Sequence, residues 1–161
     1  MKRLAVLGAG GHGKVVAEIA ELTGWEEIVF FDDLYPEVKN TGIWHVQGTI
    51  DDLVFLADKY TAVIVAIGNN KVRLEKSLCL SSQGFELVTL IHPNSTVSKY
   101  ANIEAGIVIM AGAIVNPFSS VGLCSIINTS CSIDHDCIIG EGVHISPGVN
   151  VAGGVSIGDL S

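Results

Sequence analysis

Asp134-His135-Asp136 sets an imidazole between two carboxylates, with Asn128 before it and His144 after it. An imidazole titrates near neutrality and can take a proton from a reacting nucleophile. A carboxylate beside it, Asp134 or Asp136, can hold the ring and raise its basicity. An exposed histidine is usually only solvated, but the flanking carboxylates and the second histidine argue for general-base chemistry at His135. A metal site needs three converging ligands. His135 and His144 supply two, so no metal is expected.

A second chemical group opens the chain. Gly8-Ala9-Gly10-Gly11-His12-Gly13 follows an apolar run and precedes an amphipathic one, and Asp32-Asp33 comes after the next apolar run. Glycines there permit a tight turn and close approach of backbone to a ligand, and a helix N-terminus favours negative charge. Alone, the motif suggests a nicotinamide dinucleotide. The sheet, however, has only about four strands, half of a full dinucleotide fold. A nucleotide-sugar fits a half-sized domain better, with Asp32 and Asp33 near its ribose or base and His12 in reach of a phosphate. Gly68-Asn69-Asn70 ends another apolar run, at the carboxyl edge of the sheet where such folds bind ligands. Helix capping is an equal reading of those asparagines.

The elements that must position these residues fall into two patterns. Up to residue 92, apolar runs at 2–7, 25–31, 62–67 and 85–91 read as strands. Helical periodicity covers 14–22, 51–59 (with Thr49 as N-cap) and 72–83, and 34–48 reads as a polar connection. Strands alternating with helices predict an α/β Rossmann-like domain with a short parallel sheet, over 1–92. Over 93–161 the helical pattern is gone. Counting in sixes from Ile91 reaches Val97, Ile103, Ile109, Val115 and onward to Ile157, with Ile or Val at each step. The position four later is mostly small or β-branched, as at Ala101, Ser119, Cys131 and Cys137. Helices and plain strands have other periods. A period of six predicts a left-handed parallel β-helix, with residues 18 apart stacked in neighbouring rungs. The first and fifth positions of each hexad face inward. His135, third in its hexad, faces outward with Gly153 one rung above it, which leaves open space beside the imidazole. The fourth turn stops after 11 residues with no capping element, so the solenoid reads as cut short.

The chain has 161 residues, 48% of them hydrophobic, and a net charge of −8. That balance supports a packed core and argues against nucleic acid and anionic membrane as partners. Four cysteines without a CxxC pair read as reduced core thiols. The basic, then apolar start is interrupted before a signal peptide is complete, and no run is long enough to span a bilayer. A cytoplasmic protein is expected.

Gly8 to Lys14, Phe31-Asp32-Asp33, Ala66 to Asn70 with Arg73, Leu90 to Pro93, and Asn128 through Asp134-His135-Asp136 to His144 together resemble a known family. It is the hexapeptide-repeat sugar O/N-acetyltransferases with an N-terminal Rossmann-like domain, of the UDP-N-acetylbacillosamine N-acetyltransferase and sialic acid O-acetyltransferase type. The resemblance implies acetyl-CoA-dependent N-acetylation of a UDP-linked 4-amino sugar by a homotrimer with its sites between protomers. It implies His135 as general base. Asp136 stands where bacillosamine-type members place a Glu that orients that base. Gly10, Gly11 and His12 would hold the nucleotide-sugar, with Asp32 and Asp33 on the uridine and Gly68 and Val72 lining the pocket. His144 and Gly153 would contact acetyl-CoA. Family members continue for further hexads that help hold coenzyme A, so a catalytically impaired, nucleotide-sugar-binding form is one alternative. Sialic acid or other sugar O-acetylation is another. A zinc enzyme of the hexapeptide class and a nicotinamide oxidoreductase complete the set of rivals.

Overall fold

A computed structural model describes residues 2–161. The chain forms two compact units, one ending at Val88 and one spanning Thr89–Ser161.

The first unit is a five-stranded sheet with three α-helices. Its strands are β1 (Arg3–Leu7), β2 (Glu27–Phe31), β3 (Asn40–Thr41), β4 (Trp44–Gly48) and β5 (Ala62–Val65), in the order β3-β4-β2-β1-β5. All neighbours pair in parallel except β3 and β4. Central parallel strands are buried on both faces and therefore read as unbroken apolar runs. Leu4, Ala5, Val6 and Leu7 are all buried, as are Val63 and Ile64. The helices are α1 (Gly11–Leu22), α2 (Ile50–Phe55) and α3 (Asn70–Ser82). Thr49 caps α2 in a reciprocal capping box with Asp52, as its position predicts.

Three expectations change. Residues 34–48 are not only a connection: they hold the β3–β4 hairpin, and β4 extends the sheet beside β2. Helix α1 starts at Gly11, so His12 sits in its first turn and not in the loop before it. The run 85–91 is not a strand of this sheet. Leu87 makes one bridge to Val63, and Leu90–Ile91 pairs with Val108–Ile109 in the second unit.

The second unit is the left-handed parallel β-helix. Twelve two-residue strands run from β6 (Leu90–Ile91) to β17 (Ser156–Ile157) and stack as three four-stranded parallel sheets. Pairings such as Ser132↔Asn150 and Ile138↔Ser156 confirm the 18-residue register. Val115, Val121, Ile127, Ile133 and Ile139 form the core with Ala113, Cys131 and Cys137. Each fully buried Val or Ile contributes roughly 1.5–3 kcal/mol. Between strands the chain turns through a left-handed residue at the fourth hexad position, with φ between 56° and 73° from Gly106 onward. Glycine takes many of these corners, and Asp136 takes one with φ 58°. Aspartate is among the few side chains that visit this region readily.

Candidate active site

Asp134, His135 and Asp136 form the turn between β13 (Ser132–Ile133) and β14 (Ile138–Ile139). The turn is clamped from both neighbouring rungs. Asp136 N–H donates to Pro117 O at 3.2 Å, and Gly154 N–H donates to His135 O at 2.9 Å. From inside the coil the buried Ser119 hydroxyl donates to Asp134 O at 2.6 Å and accepts from Cys137 N–H at 3.0 Å. Asp134 Oδ1 accepts from His135 N–H at 2.8 Å and from Asn116 Nδ2 at 3.1 Å, one rung below.

This framework leaves the two side chains that face solvent in register. His135 Nδ1 and Asp136 Oδ2 lie 2.7 Å apart, so the aspartate side chain is long enough to reach the ring. An ionised carboxylate only accepts, so Nδ1 carries the proton and Nε2 presents its lone pair outward. That hydrogen bond, helped by the charge of Asp134, holds the His135 pKa above the ordinary 6.5. The ring packs directly against a glycine. A Cβ at Gly153 would lie 2.7 Å from both Cε1 and Nε2 of His135. The arrangement is an oriented base with room for a reacting group beside it.

His144 lies on a different face of the coil, in β15 (His144–Ile145), stacked over Ile126. Asn128 Oδ1 accepts from Thr129 N–H at 2.7 Å, which turns its Nδ2 towards His144 Nε2 at 2.8 Å. The imidazole thus accepts at Nε2 and carries its proton on Nδ1. The structure brings His135, Asp136 and Gly153 together and joins His144 to Asn128.

In the first unit a cleft of about 410 Å³ opens at the carboxyl ends of β1, β2 and β5, lined by Gly10, Gly11, His12, Asp32 and Gly68 among others. The glycines around it divide into two kinds. Gly8 has φ 113°, and a Cβ at Gly13 would collide with Gly8 O, so the fold itself demands both. Gly10, Gly11 and Gly68 have ordinary φ, and a Cβ on any of them would meet open space. Only Gly158 shares that property among the described glycines, so three of four such positions line one cleft. A side chain on any of the three would project into the cleft or the solvent around it and not into packed protein. Helix α1 points its N-terminus there without a side-chain cap and without an acidic residue in its first turn, whereas α2 and α3 are both capped. Such an end favours an anion.

Asp32 is already engaged. Its Oδ2 accepts from Ala9 N–H at 2.7 Å and its Oδ1 from Leu34 N–H at 2.9 Å, which ties the glycine loop to the loop after β2. Asp33 pairs with Lys76 at 3.1 Å. Val72 begins α3, its N–H taken by Asn69 Oδ1 at 3.0 Å. Asn69 is therefore the cap, while Asn70 accepts from Arg73.

Comparison with known proteins places both units. Residues 3–77 match the family model described as the PglD N-terminal domain. The acetyltransferase domain of PglB from Neisseria gonorrhoeae FA1090, solved with acetyl coenzyme A, is 43% identical. It superposes over 97% of this chain and 76% of its own, with a TM-score of 0.92. The chain belongs to the hexapeptide-repeat sugar acetyltransferases with a PglD-type N-terminal domain. Within this family, PerB from Caulobacter crescentus, in complex with CoA and GDP-perosamine, matches at 33% identity and a TM-score of 0.93, over 99% of this chain and 76% of its own. The UDP-N-acetylbacillosamine N-acetyltransferase of Bacillus subtilis (strain 168) is 35% identical over 121 residues, 69% of this chain and 52% of that protein. The chain spans about half the length of the curated relatives it matches.

Sequence reasoning missed the supports of the acetyltransferase-family turn. Asn116 and Ser119 sit 18 residues before Asp134 and Cys137, so the rung arithmetic would have found them. The distinction among the glycines had no signal in sequence, because it rests on which Cβ positions are empty.

Proposed function

We propose that the chain is an acetyl-CoA-dependent N-acetyltransferase acting on a nucleotide-linked amino sugar, of the UDP-4-amino-sugar kind. The observation that carries this is the His135–Asp136 pair at 2.7 Å, on an imidazole that packs against Gly153 and keeps its side chain 61% exposed. The amine nitrogen of the sugar attacks the thioester carbonyl carbon, a C–N bond forms and the C–S bond breaks. His135 Nε2 takes the amine proton and returns it to the departing thiolate. Asp136 orients the ring and stabilises the imidazolium, and a rung N–H steadies the oxyanion. Gly10, Gly11, His12 and Gly68 hold the nucleotide-sugar in the glycine-lined cleft, with Asp32, Asp33 and Val72 around its nucleoside. His144 Nδ1 and the backbone at Gly153 contact acetyl-CoA. The assembly is a homotrimer with acyl-transfer sites between protomers. A cytoplasmic setting accords with four free cysteines. Among the described residues, no helix is long and apolar enough to cross a membrane.

The test incubates the chain with acetyl-CoA and a UDP-linked 4-amino sugar, or its GDP-linked counterpart, and follows free thiol. Sugar-dependent thiol release that His135→Ala abolishes, with UDP binding kept, is the expected result. Near-normal turnover in that variant removes His135 from the mechanism. Nucleotide binding without thiol release leaves only a binding function.

A further inference from the structure

Arg73 heads the fully buried side chains by volume and is 1% exposed. It lies in the first turns of α3. Its Nη1 donates to Ile67 O at 3.0 Å and to Gly68 O at 3.2 Å, and its Nη2 donates to Asn70 Oδ1 at 2.8 Å. Taking a guanidinium out of water is costly, and an apolar side chain of similar volume would fill the same space without that penalty. An arginine here implies work that an apolar residue cannot do.

The work is visible in what it holds. Ile67 and Gly68 line the cleft, and both of their carbonyls are turned to the guanidinium. The peptides that follow them are trans, and in a trans peptide the N–H points opposite to the carbonyl. Gly68 N–H and Asn69 N–H therefore point away from Arg73. Neither meets a protein acceptor among the described residues. Consecutive N–H groups held in one direction suit anionic oxygen. Gly68 has no side chain to cover them, and a Cβ there would stand in open space.

We infer that Arg73 is a positioning residue: it turns the Gly68–Asn69 wall of the cleft so that two backbone N–H groups meet the diphosphate of the nucleotide-linked ligand. The inference rests on reading the cleft as the nucleotide-sugar site. A lysine at 73 keeps the charge but cannot span two carbonyls and an amide at once.

The test is a set of ¹H–¹⁵N spectra of the whole chain, titrated separately with UDP and with GDP. The Gly68 and Asn69 amide signals are expected to shift with the nucleotide that binds. Arg73→Lys is expected to weaken that binding by about tenfold, roughly the loss of one good hydrogen-bonded contact. Signals from the buried sheet residues Leu4, Val6, Val63 and Ile64 should stay dispersed, which reports that the unit carrying Arg73 is folded. Equal affinity in Arg73→Lys overturns the inference. So do Gly68 and Asn69 amides that stay still while Gly10 and Gly11 respond. If Arg73→Lys does not fold, Asn70→Ala releases Nη2 alone and should weaken binding about threefold; unchanged affinity there also overturns it. If neither nucleotide moves Gly10, Gly11 or Gly68, the nucleotide reading of the cleft fails, and the role of Arg73 fails with it.

Discussion

The His135 imidazole occupies the space that a side chain on Gly153 would need: the missing Cβ would sit 2.7 Å from Cε1 and Nε2. The two residues are 18 apart and belong to successive rungs. Gly153→Ala is therefore a probe of ring position more than of the fold. The His135 side chain is 61% exposed and can swing aside, so stability should change by less than about 1 kcal/mol. The displaced ring loses Asp136, and a misplacement of this size costs about 100-fold in rate. Steady-state acetyl transfer together with an unchanged urea midpoint would check both halves.

The raised pKa of His135 has a direction that pH can read. The base form exists only above the raised value, so the acid limb of the rate profile should lie above pH 6.5. Asp136→Asn removes the carboxylate that raises it most, and the limb should move to lower pH with a lower plateau. The same shift means that protonated His135 favours the folded state. That contribution is present below 6.5 and is lost as pH rises through the folded value. Histidine ¹H–¹³C titration of both proteins follows the shift directly. Asp136→Gly should reduce it too, leaving the contribution of Asp134, while relaxing the left-handed corner at φ 58°.

Ser119 is the buried fastener of the same turn. Ser119→Ala leaves Asp134 O and Cys137 N–H without their partner inside the coil. The expected loss is about 1–3 kcal/mol in urea unfolding. The next rung suggests the rescue: Cys137 Sγ reaches Ala152 O at 3.2 Å, the same 15-residue step. Ser119→Cys should recover part of the loss, and a Cys variant no better than Ala would refute the fastener role.

The two kinds of glycine predict opposite phenotypes. Gly10→Ala, Gly11→Ala and Gly68→Ala should keep the melting temperature nearly intact and weaken nucleotide binding, because their Cβ atoms enter only the cleft. Gly13→Ala should destabilise the unit by several kcal/mol, since its Cβ meets Gly8 O and Phe30. Thermal melts with and without UDP separate the two sets.

Much of the β-helix was legible, because Ile or Val at every sixth position imposes one register. His135 and Gly153 came from that arithmetic, and so would Leu90–Ile91: residue 91 plus 18 is Ile109, its actual partner. Contiguity with the apolar run from Phe85 assigned it to the sheet instead. Strand β4 was illegible for another reason. In Trp44-His45-Val46-Gln47-Gly48 the buried positions are Val46 and Gly48, too little apolar surface to show an alternating pattern. The burial of Arg73 was illegible, since no sequence pattern reports that a charged side chain has turned inward.

The 18-residue register also sets how such a chain can be lengthened or trimmed. Deleting one residue between Pro117 and Gly153 puts the chain on its two sides out of register, so His135 would lose Gly153 above it or Pro117 below it. Duplicating a whole block of 18 leaves each column intact and adds a rung. The scaffold is therefore brittle to small edits and permissive to large ones, and length variation among its relatives should be quantised in steps of 18.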